Sequence, residues 1–318
     1  MVLKHDPEWA QLAAPMLEMM SKVPQPPVGD ALTRRENVTN GFGALLAAQP
    51  DPPGVEANIF KIKSFDGAEI ELYRFHKTGA VPGPAILHTH GGGMIAGTAE
   101  MFSKAAKAMV AVTGVQFFSI DYRLAPEHQD PVLIEDCYAG LVWLHEHADE
   151  FGVDRTRIGT MGESAGGGLA AGLTLLARDR NLQPPLAKQI LIYPMLDSRN
   201  VTHENKELEP FLVWNVNSNI TGWSALLGDK FNTDQVSPYA SPAHVKDVSG
   251  LPSTYIDTGE LDLFRDEDIA YAARLAAANV STEFHLYPGV PHAFEVLAPG
   301  ASVVQTAMAN RVKALKSF

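Results

Sequence analysis

The chain has 318 residues, 46% of them apolar and 19% charged. That is enough for one large core, or a core with a small accessory region, and too ordinary a mixture for a disordered protein. Its formal net charge is -12, with 37 acidic residues against 25 basic, which argues against nucleic acid and membrane surfaces as partners. A single cysteine, Cys137, excludes an intramolecular disulfide, and no apolar run approaches the roughly 20 residues of a membrane helix.

The first residues, Met1 to Glu8, lack the apolar core of a signal peptide, so a cytoplasmic location is expected. Residues 1–55 carry two amphipathic, Met-containing stretches, Trp9 to Met20 and Ala31 to Leu46, on either side of the proline-rich run Val23 to Val28. This pattern predicts two helices joined by an extended linker. Beyond Pro52-Pro53-Gly54 the period changes to two. Ile59 to Lys63 and Glu69 to Tyr73 alternate around Asp66-Gly67, which predicts a hairpin.

From there short apolar strands and helical patterns take turns. Ala85 to His88, Gln116 to Ile120, Arg157 to Thr160, Gln189 to Tyr193, Ser253 to Ile256 and Glu283 to Tyr287 read as buried strands. Lys104 to Val112, Ile134 to Ala148, Leu169 to Ala177 and Asp266 to Ala278 read as helices. Such alternation predicts an α/β fold with a mostly parallel sheet flanked by helices. Cys137 lies in the apolar helix and reads as a small core residue. The rhythm breaks at residues 198–238, where Phe211, Trp214 and Trp223 stand among polar residues. This stretch is expected to be an insertion that packs with residues 1–55 over one end of the sheet, leaving 56–197 and 239–318 as the α/β domain.

Gly162-Glu163-Ser164-Ala165-Gly166 has the G-x-S-x-G spacing of a nucleophile elbow. A serine on a sharp strand-to-helix turn takes strained backbone angles, and flanking glycines admit the close approach of neighbouring chain. The run follows a predicted strand and opens a small-residue helix, as that motif requires. His90-Gly91-Gly92-Gly93 follows another strand. A glycine run can turn backbone N–H groups toward one point, so Gly91 and Gly92, with the N–H of Ala165 at a helix start, are the expected oxyanion donors. No Lys-Ser/Thr follows and no G-x-G-x-x-G spacing occurs, which disfavours a phosphate loop. His88 and His90 read as structural.

A serine nucleophile needs a base. Of eleven histidines, His292 stands past the last strand in Tyr287-Pro-Gly-Val-Pro-His292-Ala-Phe294, after any acid, which is the Ser, acid, His order of this fold. The acid should follow the strand ending at Ile256, where Asp257, Glu260, Asp262, Asp266 and Glu267 are all available. Asp257 and Glu260 lie close to the strand, and Asp266 and Glu267 suit a helix N-terminus. Asp262 is left in the loop, a choice that spacing alone leaves open.

With these stretches in order, the chain resembles the hormone-sensitive lipase family of esterases, bacterial family IV. The resemblance rests on His90-Gly-Gly-Gly93, Asp121-Tyr-Arg-Leu-Ala-Pro-Glu-His128, Gly162-Glu-Ser-Ala-Gly-Gly167, Asp262-Leu-Phe-Arg-Asp-Glu267 and His292-Ala-Phe294, and spans residues 57–318. It implies the α/β-hydrolase fold and hydrolysis of short- to medium-chain acyl esters, with no cofactor and no metal. It further implies a small-molecule ester substrate, a possible homodimer through the sheet edge, and Asp262 as the acid. Residues 1–55 and 198–238 then correspond to the two parts of a helical cap. Phe211 and Trp214 would line the substrate pocket, while Trp223, Met16, Met19 and Met20 close over Ser164. Glu163 stands where the family usually has Asp or Thr, and is expected to alter contacts beneath the acid loop. Asp121 and Arg123 are expected to pair and brace the glycine loop. Acyl transfer to an alcohol or amidase action on the same triad are alternatives. A non-catalytic receptor of the same family is disfavoured by the presence of His292.

Overall fold

The computed structural model describes residues 3–79, 82–202 and 206–318. Its frame is an eight-stranded sheet of β1 (Val55–Lys63), β2 (Glu69–Lys77), β3 (Gly83–Thr89), β4 (Gln116–Asp121), β5 (Val153–Glu163), β6 (Lys188–Ile192), β7 (Ser253–Gly259) and β8 (Thr282–Tyr287). The spatial order is β1-β2-β4-β3-β5-β6-β7-β8. The expected hairpin supplies the antiparallel edge: Lys63 pairs with Glu69 around a turn in which Gly67 takes φ 83°, and β2 runs antiparallel to β4. From β4 to β8 every pairing is parallel.

The helices are α1 (Pro7–Ser21), α2 (Ala31–Asn40), α3 (Phe42–Ala48), α4 (Ser103–Thr113), α5 (Val132–His147), α6 (Ala165–Asp179), α7 (Val216–Leu227), α8 (Arg265–Ala277), α9 (Phe294–Leu297) and α10 (Ser302–Leu315). Strand residues alternate between two cores, as the pleat requires. Leu87 and Phe118 face the cluster shared with α5 and α6, while Ile86 and Phe117 face the cluster shared with α4 and α10. α6 is buried from Ala165 to Ala177, so it is apolar all round rather than striped.

Two differences from the sequence pattern are informative. The single helix expected over Ala31 to Leu46 is divided into α2 and α3 at Gly41, a residue with poor helix propensity that ends one helix and starts the next. The irregular stretch at 198–238 contains α7, capped by the Asn215 side chain, which accepts the Ser218 N–H at 2.9 Å. α7 packs on α2, where the buried Arg34 reaches the Ser218 hydroxyl at 3.3 Å. α1 starts on its own cap, Asp6 Oδ1 accepting the Trp9 N–H at 2.9 Å, and docks on α9 and α10. No helix of the described residues is long and apolar enough to cross a membrane.

Candidate active site

The carboxyl ends of β3, β5, β7 and β8 open into four loops that meet at Ser164. This is where parallel α/β sheets place their ligands. Ser164 sits between β5 and α6 with φ 58° and ψ -123°, a conformation that side chains rarely adopt. The flanking glycines are dictated by contact. A Cβ on Gly162 would lie 2.3 Å from Gly166 O, and one on Gly166 would lie 2.0 Å from Thr89 O. The Ser164 carbonyl accepts the Met195 and Gly168 N–H groups, which fixes the turn.

His292 Nε2 lies 2.9 Å from Ser164 Oγ, and its Nδ1 lies 2.7 Å from Asp262 Oδ2. A carboxylate only accepts, so Nδ1 carries the proton and Nε2 is left to accept from the serine hydroxyl. Asp262 is fully buried and its second oxygen accepts the Phe264 N–H at 2.9 Å, which fixes the carboxylate plane. Phe264 and Tyr193 stand edge-on to the imidazole, at 5.2 and 4.6 Å between ring centroids. Sequence order does not reveal Tyr193.

The other four acids are engaged elsewhere. β7 runs on to Gly259, so Asp257 is a strand residue, and Arg311 holds it at 2.7 and 3.0 Å. Glu260 accepts the Gly289 N–H, and Asp266 pairs with Arg265. Glu267 accepts the Leu196 and Asp197 N–H groups; burial pushes its carboxyl well above the ordinary value.

The glycine loop corrects one expected donor. The Gly91 N–H donates to Glu163 Oε1 at 3.4 Å, so it is already occupied by a side chain. Among the described residues, the N–H groups of Gly92 and Gly93 donate to no acceptor. Their φ values, 127° and 63°, are open to glycine. Ala165 is the first residue of α6, so its N–H has no acceptor within the helix. Glu163 itself lies under the glycine loop rather than the acid loop, with Oε2 3.0 Å from His88 Nε2. His90 braces the same loop: Nδ1 contacts Gly91 O at 2.8 Å and the ring stacks on Tyr122. Burial lowers its pKa to about 3, so His90 stays neutral.

The expected Asp121–Arg123 pair does not form. Asp121 accepts the Ala99 N–H at 2.7 Å, while Arg123 reaches Asp66 in the hairpin turn and Asp136 on α5, both at 2.7 Å. The aromatic and methionine candidates also divide. Trp214 covers the glycine loop so closely that a Cβ on Gly93 would lie 2.3 Å from its ring, whereas Phe211 packs edge-on against His5. Trp223 is wholly buried in the core, Met19 is half-exposed, and Met16 and Met20 pack against the cluster that holds Tyr193 and Phe294. Two grooves of about 320 and 400 Å³ share Arg35, Gly97, Thr98 and Leu124, and neither is lined by Ser164, Asp262 or His292.

The profile of the alpha/beta hydrolase fold family matches residues 86–296, two thirds of the chain. The chain belongs to this family. Its hormone-sensitive-lipase-like branch is the one that the motifs implied. Among relatives, an arylesterase of Saccharolobus solfataricus is 32% identical over 250 residues, 79% of this chain and 80% of its own. The carboxylesterase NlhH of Mycobacterium tuberculosis is 35% identical over 224 residues, 69% of this chain and 70% of its own. Among solved structures, a bacterial heroin esterase superposes with a TM-score of 0.89 at 35% identity, covering 98% of this chain and 97% of that one. The α/β-hydrolase architecture expected from the sequence is therefore the observed one.

Proposed function

We propose that this carboxylic ester hydrolase cleaves short- to medium-chain acyl esters through an acyl-enzyme on Ser164. The observation that carries the reading is the unbroken chain from Asp262 through His292 to Ser164 Oγ, at 2.7 and 2.9 Å. Ser164 attacks the ester carbonyl while His292 Nε2 takes its proton, and Asp262 stabilises the imidazolium that forms. The carbonyl oxygen becomes an anion facing the N–H groups of Gly92, Gly93 and Ala165, with the positive end of α6 behind them. His292 then protonates the departing alcohol. Water, deprotonated by the same imidazole, releases the acid and restores the serine.

The described parts of residues 1–55 and 198–238 form the two parts of a cap over this centre, a reading supported by the packing of α2 on α7 and of Trp214 on Gly93. Trp214 walls the substrate space beside the glycine loop. Each methylene that fits gains about 0.8 kcal/mol, so activity peaks at about four to six acyl carbons and falls beyond roughly eight, as in small apolar pockets. β8 is one edge of the sheet, opposite β1, and is the surface on which a second copy would pair. Sedimentation equilibrium tests that contact.

The decisive experiment is Ser164→Ala. It should lower kcat by about four to six orders of magnitude, with the fold unchanged. A serine-reactive organophosphate should label the parent once per chain and the variant not at all. Turnover of the variant near the parent rate on p-nitrophenyl butyrate refutes the assignment.

A further inference from the structure

Beneath the glycine loop lies a Glu–His pair for which the triad has no use. Glu163 Oε2 is 3.0 Å from His88 Nε2, its Oε1 accepts the Gly91 N–H at 3.4 Å, and His88 Nδ1 is 2.9 Å from the Ser119 hydroxyl. Both side chains are nearly enclosed, His88 at 5% and Glu163 at 15% exposure. The pair is close to the chemistry. A Cβ on Gly91 would lie 3.5 Å from Glu163 Cγ and 3.5 Å from Ser164 Cβ, so the carboxylate stem and the nucleophile flank the same glycine.

This placement poses an electrostatic problem. The transition state creates a negative oxygen at the glycine loop, and a buried carboxylate next door opposes it, because like charges in a site shielded from water are poorly screened. The same carboxylate anchors Gly91 and so orients the two glycines that follow. A group that keeps the anchor while drawing its charge away from the oxyanion resolves the conflict. His88 is placed to do this, since its Nε2 must carry the proton in order to bond a carboxylate, and Nδ1 then accepts from the Ser119 hydroxyl. The bond turns Glu163 Oε2 toward His88 on β3 while Oε1 keeps Gly91, and the donated proton offsets part of the carboxylate charge.

We propose that His88 and Glu163 are positioning residues for the oxyanion donors: Glu163 holds Gly91, and His88 offsets the Glu163 charge so that the anchor does not oppose the transition state. The inference rests on the triad reading above. It says nothing of substrate binding, so its signature is a change in kcat with KM left alone.

The test is a four-variant cycle, His88→Leu, His88→Asn, Glu163→Gln and the double variant His88→Leu/Glu163→Gln, assayed on p-nitrophenyl butyrate. His88→Leu leaves the carboxylate without its partner and should lower kcat by about 10- to 100-fold, less than the loss of an oxyanion donor outright. KM should move by less than about twofold, as for an interaction made only in the transition state. Glu163→Gln keeps an acceptor for Gly91 without the charge and should lower kcat by about threefold, a loosened anchor alone. In the double variant kcat should recover to near the Glu163→Gln value, because no unpaired charge remains. A trifluoromethyl ketone, which forms a tetrahedral oxyanion on Ser164, should weaken in parallel with kcat. Should His88→Leu fail to fold, His88→Asn, which keeps a polar group in the slot at shorter reach, carries the same expectation. Equal kcat losses in His88→Leu and the double variant would mean a merely structural residue and overturn the proposal, as would an unchanged kcat in His88→Leu. Complete organophosphate labelling of Ser164 in every variant separates that failure from a failure of the triad reading, in which the parent itself would go unlabelled.

Discussion

The loop that carries the base and the loop that carries the oxyanion donors flank the same serine, yet they are held by different physics. The histidine loop rests on buried charge. Arg311, on α10 and 3% exposed, bonds Asp257 within β7 and Glu295 on α9 at 2.7 and 2.8 Å, and Tyr193, edge-on to His292, donates its hydroxyl to Glu295 at 2.5 Å. α1 and its cap add two ties to backbone carbonyls, the Trp9 side-chain Nε1–H donating to Phe294 O and the Asp6 N–H to Gly289 O. The glycine loop is held by close packing and by single donors from distant segments. α7 presses Gly222 onto Gly93 O, Trp214 covers Gly93, and Arg35 of α2 donates to Ile95 O at 2.6 Å. The base is thus fixed by an ion cluster on the sheet side with α1 tied to it, and the donors are fixed by α2, Trp214 and α7. A disturbance of those segments should reach the oxyanion before it reaches the triad.

The largest effect expected from the histidine side is Asp262→Asn, which keeps the shape but favours the wrong imidazole tautomer. It should lower kcat by about 10⁴-fold, and the far-downfield proton of His292 Nδ1 should vanish from the NMR spectrum. Asp257→Asn should leave that proton in place, because Asp257 faces Arg311.

Next comes the support itself. Arg311→Met strands two buried carboxylates and should cost about 3–5 kcal/mol in urea unfolding, the usual loss when one partner of a buried pair is removed. The pH dependence has a sign. Burial pushes the Glu295 carboxyl up, but the Arg311 charge and the hydrogen bonds from Tyr193 and Arg311 together outweigh it and hold the group below its ordinary value. A carboxyl lowered on folding adds stability that is present above its unfolded pKa and lost as pH falls through the folded value. In Arg311→Met burial is opposed only by the Tyr193 hydroxyl and a backbone bond, so the stability lost on acidifying should shrink or reverse in the variant relative to the parent. Parallel pH profiles for the two proteins would break the comparison on this side.

These supports also divide what a sequence can reveal from what it cannot. The elbow is legible because contact around Ser164 admits only glycine at 162 and 166, so steric necessity is written in residue types. His292 is legible from chain order, and the hairpin from Asp66-Gly67. Asp262 is not fixed by spacing, since the acid choice turns on β7 running three residues past Ile256. α7 hides because the buried residues of its first half, Ser218, Asn219 and Thr221, are polar and its apolar ones come only later, and α10 hides because its buried face includes Arg311. Which glycines face the substrate depends on φ values and on a Glu163 side chain that claims Gly91, neither of which a motif encodes. Arg123 has an acid two residues away but reaches Asp66 and Asp136, because the fold brings those closer.

On the glycine side, Trp214→Ala should lower kcat by about tenfold, the scale of a misplaced rather than a missing donor. The His292 proton signal should stay unchanged, since nothing in the ion cluster is touched. Loss of that signal would show that the two loops are coupled and not separately held. A rise in KM at constant kcat would assign Trp214 to substrate contact alone.

The smallest effect separates the two roles of Arg35. Its Nε and one Nη donate to Ile95 O and Ala125 O, and the guanidinium also grips Glu127 through two bonds of 2.7 and 2.8 Å. That hydrogen-bonded charge lowers the Glu127 pKa to about 2. The stability it brings is therefore present above the ordinary carboxyl range and lost as pH falls toward 2. Glu127 is half-exposed, so screening limits the pair to about 0.2–1 kcal/mol. Glu127→Gln should cost no more than that at pH 7, and less still in 1 M salt, where the Debye length shrinks to about 3 Å. Because Arg35 keeps both carbonyls, kcat should change by less than about twofold, a shift under 0.5 kcal/mol. Arg35→Ala frees Ile95 O, and with it the far end of the glycine loop, so its kcat should fall further than that of Glu127→Gln. If the two variants lose kcat equally, the ion pair rather than the carbonyl contact holds the loop, and both sides of the serine depend on charge after all.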